Sequence, residues 1–163
     1  VLSLKDEPSV AAAYRSLSER LGAQMLGAIV QTMASGGVEV MIGATEHPTF
    51  GHVVAYGAGG TLVELLSDVA FRIEPLTEVD AQDLVAEARC SKLLDGFRGA
   101  PPADRAALTE ILLRVSALID IAPEIRELDI NPLKVLEHGA VVVDARVNLQ
   151  PIVPGPPSRR VRY

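Results

Sequence analysis

The chain has a single cysteine, Cys90, in 163 residues. A disulfide framework and a cysteine-based zinc site are thereby excluded, and a reducing compartment, the cytoplasm, is expected. Basic residues are in deficit: 15 Lys+Arg against 21 Asp+Glu leave a net charge of -6. Nonspecific nucleic-acid binding needs a basic footprint, so no nucleic-acid partner is expected. A nucleotide is not excluded, because it brings Mg²⁺ that carboxylates can hold. No apolar run approaches the length that spans a bilayer, and no membrane partner is expected. The opening residues, Val1-Leu2-Ser3-Leu4-Lys5-Asp6, have no initiator Met and match neither a signal peptide nor a transit peptide. They read as a strand entered from upstream, in a chain cut from something longer. His47, His52 and His138 have no helical metal-site spacing and no Ser or Cys elbow beside them, so a hydrolytic triad is unsupported.

The hydrophobic fraction of 48% is that of a folded chain. One domain is expected over residues 1–150, followed by a Pro-rich flexible tail over 151–163. Its class is α+β, a mixed or antiparallel sheet with packed helices. Glu7-Pro8 opens a helix that Gly22 ends. Met25 to Met33 is apolar without helical period and predicts a buried strand. Ala34-Ser35-Gly36-Gly37 then turns the chain into a second strand, Val38 to Gly43, making a hairpin. His47 to His52 predicts a loop, Val53 to Tyr56 a strand, Leu62 to Leu66 a helical turn and Val69 to Leu76 an extended segment. Thr77-Glu78-Val79-Asp80 resembles a capping box, with a helix to about Arg89. Cys90 then reads as a packed small residue. A helix starting at Pro101-Pro102-Ala103-Asp104 carries Leu108, Ile111, Leu112, Val115, Leu118 and Ile119 at core-facing spacing. Two strands follow, Ile125–Leu136 and Ala140–Val147.

That last hairpin carries the most chemistry. With a two-residue turn at His138-Gly139, Glu137 faces Ala140 and Asn131 faces Arg146, with Asp144 diagonal to it. Alternation then gathers Glu127, Asp129, Asn131, Asp144 and Arg146 on one face. Leu128, Ile130, Val141, Val143 and Ala145 share the other, which can pack on the amphipathic helix. Oxygen-only donors of this kind suit Mg²⁺, which takes one or two carboxylates plus phosphate oxygens. Taken alone, the plainer reading is preferred: a solvated face on which Arg146 pairs with Asp129 or Asp144. Gly57-Ala58-Gly59-Gly60 could bring backbone N–H groups to an anion or be a tight strand-to-helix turn. The two readings weigh about equally, since the spacing matches neither a Walker loop nor the dinucleotide fingerprint. Gln31-Thr32-Met33, with Glu39 on the return strand, reads on its own as a hairpin with one exposed acid.

Several stretches together resemble one family. Gln31 to Gly43 resembles the hinge hairpin in the ATP-grasp part of ADP-forming acyl-CoA synthetases (acetate–CoA ligases). Phe50-Gly51 through Gly57-Ala58-Gly59-Gly60 and Val63 to Arg72 resemble that family's central signature. Leu93-Leu94-Asp95-Gly96-Phe97-Arg98-Gly99 with Pro101-Pro102 is similar to another. Glu127 to Leu133 and Val143 to Arg146 are similar to its Mg²⁺-holding hairpin, also found in the succinyl-CoA synthetase β subunit. The resemblance covers nearly all of Val1 to Val147 and implies the C-terminal lobe of an ATP-grasp fold. It implies ATP/ADP and Mg²⁺ as cofactors. Asn131 and Asp144 would hold the metal, with Asp129 as a ligand or just behind. Gln31 and Ala34 would meet the adenine edge, and Glu39 the ribose. Gly59, Gly60 and Arg72 would lie on the phosphate side. No residue is assigned a catalytic role. The implied reaction converts acyl-CoA, phosphate and ADP into acid, CoA and ATP. The phosphoryl group passes through a phosphohistidine on a separate CoA-binding domain or subunit, catalysis resting on positioning and charge neutralisation. The front lobe with its phosphate-binding lysine is missing, so the fragment alone is expected to be inactive and the parent an oligomer. The competing functions are a ligand-sensing regulatory domain of a multidomain acetyltransferase and a structural assembly domain.

Overall fold

The computed structural model describes residues 1–60, 68–96 and 99–151. The helical turn expected at Leu62–Leu66, Phe97 and Arg98 of the second signature, and the tail from residue 152 onward lie outside the described residues. Two compact units emerge, Val1–Ser35 and Gly36–Tyr163.

In the first unit, helix α1 spans Glu7–Leu21. Asp6 caps it: its Oδ1 accepts from the Ser9 N–H at 2.8 Å, and Ser9 Oγ accepts in return from the Asp6 N–H at 3.3 Å. Pro8 sits in the first turn, where a missing N–H costs nothing, and Gly22 ends the helix as expected. Two expectations are corrected here. Val1–Leu4 forms no strand, and Met25–Met33 is neither a strand nor buried. Leu26, Ile29 and Val30 are 101%, 88% and 71% exposed. An apolar run becomes a strand only when another strand pairs with it, and no described strand does so.

The second unit is a six-stranded antiparallel sheet with helices on one face. The strands are β1 Val38–His47, β2 Gly51–Ala58, β3 Val69–Ile73, β4 Ile125–Val135, β5 Ala140–Val142 and β6 Ala145–Leu149. Their order is β3-β2-β1-β4-β5, with β6 also paired to β4. The hairpin therefore forms one step later than expected: β1 turns at residues 48–50 into β2, not back onto Met25–Met33. Two helices, α2 Glu78–Glu87 and α3 Arg105–Ile121, supply the cover. The Thr77–Asp80 capping box starts α2 as read from the sequence. Asp104 rather than Pro101 starts α3, its Oδ1 accepting from the Ala107 N–H at 2.9 Å. Leu108, Leu112, Val115 and Ile119 of α3 pack with Val40, Ile42, Val54, Tyr56, Ile130 and Leu133 in one core. Cys90 lies in that core as a buried free thiol. No described helix is long and apolar enough to cross a membrane.

The other face of this sheet is left uncovered by the unit's described residues. Strand alternation puts Glu39, Met41 and Gly43 of β1 there, between the buried Val40, Ile42 and Ala44. Phe71 and Ile73 of β3 project from the same face and are 57% and 54% exposed. On β4 the alternation slips. Val40 pairs with Leu133 but Ile42 with Ile130, so Asn131-Pro132 opposes the single residue Met41. That is a bulge, and a proline, which has no N–H for the ladder, belongs at one. Its effect is to bring Leu133 and Val135 into the core and turn Lys134 to the open face with Asp129 and Asn131.

Candidate nucleotide and metal site

The expected carboxylate hairpin exists, with its register moved. Val135, not Glu137, faces Ala140, so the connection is Leu136-Glu137-His138-Gly139. Asp129 faces Arg146 and Ile130 faces Ala145. At the gap between β5 and β6 the Asn131 N–H donates to the Asp144 carbonyl at 3.1 Å, and the Val143 N–H donates to the Pro132 carbonyl at 3.0 Å. The expected facing of Asn131 with Arg146 is thus corrected: Asn131 stands against Asp144. The shift is two residues, an even number, so Asp129, Asn131, Asp144 and Arg146 keep their common face. Arg146 lies 3.6 Å from the Asp144 carboxylate. The apolar face changes more, because Val141 pairs with Lys134 and so shares its open side. The longer turn is fastened by Asp104, whose Oδ2 accepts from the Gly139 N–H at 2.8 Å while its own N–H donates to the Leu136 carbonyl at 2.7 Å. These N–H donors, Ala107 first and then Gly139, hold the Asp104 carboxyl below its ordinary pKa.

Gly59 and Gly60 close onto this hairpin from the end of β2. The Gly59 N–H donates to the Glu39 carbonyl at 3.1 Å. A Cβ on Gly59 would stand 2.5 Å from the Val40 backbone carbon and oxygen. A Cβ on Gly60, whose φ is +62°, would collide with the Glu39 carboxylate. The Gly60 N–H donates to Asn131 Oδ1 at 2.9 Å. The glycines are therefore needed for close approach to β1 and β4, and the Gly60 N–H orients Asn131 instead of facing an open anion site. Lys134 completes the group: its Nζ is 3.4 Å from Glu39 Oε1, and its side chain is 17% exposed. The two are direct cross-strand partners. Glu39 and Gly59 also border a cleft of about 390 Å³ with Leu93, Pro101 and Leu136.

Not every expected residue joins this cluster. Arg72, expected on the phosphate side, is on the helix-covered face. It pairs in register with the buried Val54, and its Nη1 donates to Glu87 Oε2 of α2 at 2.8 Å. Alternation gives the open face of β3 to Phe71 and Ile73 instead. Gln31 and Ala34 belong to the first unit. Lys134 was missed in the sequence, where unbroken alternation from Asn131 points it into the core; only the bulge turns it out.

The donors can be tested against the metal that the pattern implies. No three His, Cys, Asp or Glu side chains among the described residues converge on one point. What is present is Asn131, whose backbone pairs with that of Asp144 and whose amide oxygen accepts from the Gly60 N–H, with Asp129 one alternation further along β4. Calcium asks for six to eight oxygens, whereas Mg²⁺ keeps its waters and shares phosphate oxygens with one or two protein donors. The residues fit a magnesium ion that arrives with a polyphosphate.

Comparison with known proteins gives the family of the chain. The sequence profile described as the ATP-grasp domain matches residues 1–149. The chain is 46% identical over 134 residues to the acetate–CoA ligase [ADP-forming] II subunit beta of Pyrococcus furiosus, covering 80% of this chain and 57% of that one. It is 45% identical over 127 residues to acetate–CoA ligase [ADP-forming] I of Archaeoglobus fulgidus, covering 78% of this chain and 18% of the relative. The dinucleotide-forming acetyl-coenzyme A synthetase 1 of Ca. Korarchaeum cryptofilum, solved with coenzyme A and Mg-AMPPCP, superposes with a TM-score of 0.81. That structure is 40% identical and spans 92% of this chain and 67% of its own. The chain thus spans well under two thirds of the two ligases. On the profile match and the shared fold, it belongs to the ATP-grasp family, among the domains found in ADP-forming acetate–CoA ligases.

Proposed function

We propose that this chain is the nucleotide- and Mg²⁺-binding lobe of an ADP-forming acyl-CoA synthetase. The observation that carries the reading is the seating of Asn131 against Asp144, with Gly60 holding the Asn131 amide and Glu39 flanking the same glycine. Asn131 and Asp144 would hold Mg²⁺ with Asp129 behind them, and the ion would supply charge neutralisation on the phosphates. Glu39 shares Gly60 with Asn131, so we place it at the phosphate end of the nucleotide and not at the ribose. Gly59 and Gly60 fix that corner. Arg72, paired with Glu87 on the other face, has no part in the site.

The whole protein would convert acyl-CoA, phosphate and ADP into acid, CoA and ATP. The phosphoryl group would reach ADP from a phosphohistidine on a CoA-binding domain or subunit. A phosphohistidine segment pointing towards the nucleotide site belongs to the Korarchaeum relative, which supports that partner. An oligomeric assembly and a cytoplasmic address go with this reading. The test is calorimetric titration of ADP into the full-length protein with and without Mg²⁺. Binding should need Mg²⁺ in the wild type and lose that dependence in Asp144→Ala. Equal Mg²⁺ dependence in Asn131→Ala, Asp144→Ala and the wild type would rule out the metal assignment.

A further inference from the structure

We infer that Lys134 is a polyphosphate-binding cation of this site, held in place by Glu39, so that it separates nucleoside di- and triphosphates from nucleosides. The inference rests on the nucleotide reading above. Lys134 is the least exposed cation among the six described ion pairs, at 17%; the others range from 28% to 79%. A lysine that only solubilised this face would extend into water, since an exposed pair gains little from a fixed geometry. Here the ammonium is drawn down against the sheet by its cross-strand partner Glu39. Glu39 in turn abuts Gly60, and the Gly60 N–H holds Asn131. Lys134 is therefore linked through Glu39 and Gly60, by three contacts, to the amide assigned to the metal.

Charge balance asks for such a group. The open face presents Glu39, Glu127, Asp129 and Asp144 against Lys134 and Arg146. Arg146 stands opposite Asp129 and beside Asp144, at the far end of the hairpin. A polyphosphate entering between these acids adds several negative charges, and one Mg²⁺ does not offset them all. Lys134 is the cation at the glycine end, where the phosphates would come closest to backbone. A compact ammonium with three donors is a common phosphate partner. When phosphate arrives, the ammonium keeps Glu39 and offers the phosphate oxygen another of its three donors.

The experiment compares Lys134→Met and Lys134→Arg with the wild-type full-length protein. Dissociation constants for adenosine, ADP and ATP are read calorimetrically in excess Mg²⁺. Lys134→Met should weaken ADP and ATP by about tenfold or more and leave adenosine within about twofold. Lys134→Arg should recover ADP to within about threefold, because it keeps the charge. Equal weakening of adenosine and ADP would show a merely structural lysine and overturn the inference, as would unchanged ADP affinity in Lys134→Met. If Lys134→Met does not fold, Lys134→Gln carries the same comparison with a polar side chain. A wild-type protein that binds no nucleotide overturns the nucleotide reading itself and the inference with it. A wild type that binds ADP alongside an unaffected Lys134→Met overturns the inference alone.

Discussion

Replacing Gly59 with alanine tests how the site is built, because the structure says what the added methyl would meet. Its Cβ would stand 2.5 Å from the carbonyl carbon and oxygen of Val40 and 2.7 Å from its nitrogen. All three are backbone atoms of β1, the strand paired with both β2 and β4. No side chain can rotate away to make room. Overpacking of this kind costs about 1–3 kcal/mol. With a urea m-value of about 2 kcal/mol/M, the unfolding midpoint should fall by roughly 0.5–1.5 M. Gly43→Ala is the control on the same strand. Its Cβ would meet Met41 Cε at 3.4 Å and Ala55 Cβ and the Leu128 carbonyl at 3.8 Å, ordinary contact distances. It should leave the midpoint unchanged or raise it, since alanine restricts the unfolded chain by about 0.4–1 kcal/mol. Where Gly59→Ala stays folded, the Gly59–Gly60 corner must lift from β1 and loosen the Gly60 bond to Asn131. Mg²⁺-dependent ADP binding should then weaken more than stability does. A Gly59→Ala midpoint equal to that of Gly43→Ala would refute the close approach on which the site's geometry depends.

Two further outcomes follow from titratable groups outside the site. Asp104→Asn keeps a good helix cap but loses the carboxylate that Ala107 and Gly139 favour. A depressed folded pKa contributes stability that is present above the ordinary value of 3.8 and lost as pH falls through the folded value. The difference in urea midpoint between the wild type and Asp104→Asn should therefore be full at about pH 7 and fade as pH falls below the ordinary value of 3.8; a gap independent of pH would contradict it. Cys90 is 5% exposed, and burial, opposed in part by the Tyr56 hydroxyl, pushes its thiol up to about 11. An aromatic disulfide reagent at about pH 8 should label it only as fast as the protein opens, and at once in denaturant. Labelling of the native protein at the denatured rate would show that the Tyr56–Ser91 pocket is not closed over it.

The parts legible in the sequence are those fixed by neighbours along the chain. The Thr77–Asp80 box, the Gly22 stop and the stripe of α3 each depend on residues within one or two helical turns. The parts misread depend on partners far away. Met25–Met33 has the composition of a strand but no described strand beside it. The start of β1 is decided by β4, nearly a hundred positions later, as Val38 pairing with Val135 shows. Arg72 is expected on the phosphate side by resemblance alone, and the alternation of β3 turns it towards Glu87 and gives the open face to Phe71 and Ile73.

The site itself shows why some errors mattered and others did not. The turn after β4 is four residues long where two were expected, yet Asp129, Asn131 and Asp144 remain together because two-residue shifts preserve the face of a strand. The bulge at Asn131-Pro132 inserts one residue, and a single residue inverts everything beyond it. Without it, Leu133 and Val135 would point outward and the Lys134 ammonium into the apolar core, where burying a charge is costly. With it, the core keeps both apolar side chains, and Lys134 reaches Glu39 on the face that carries Asn131. The bulge thus puts Lys134 on the face that already carries Asn131, the amide proposed to hold the metal. A substitution at Pro132 that straightened β4 should accordingly disturb folding and nucleotide binding together.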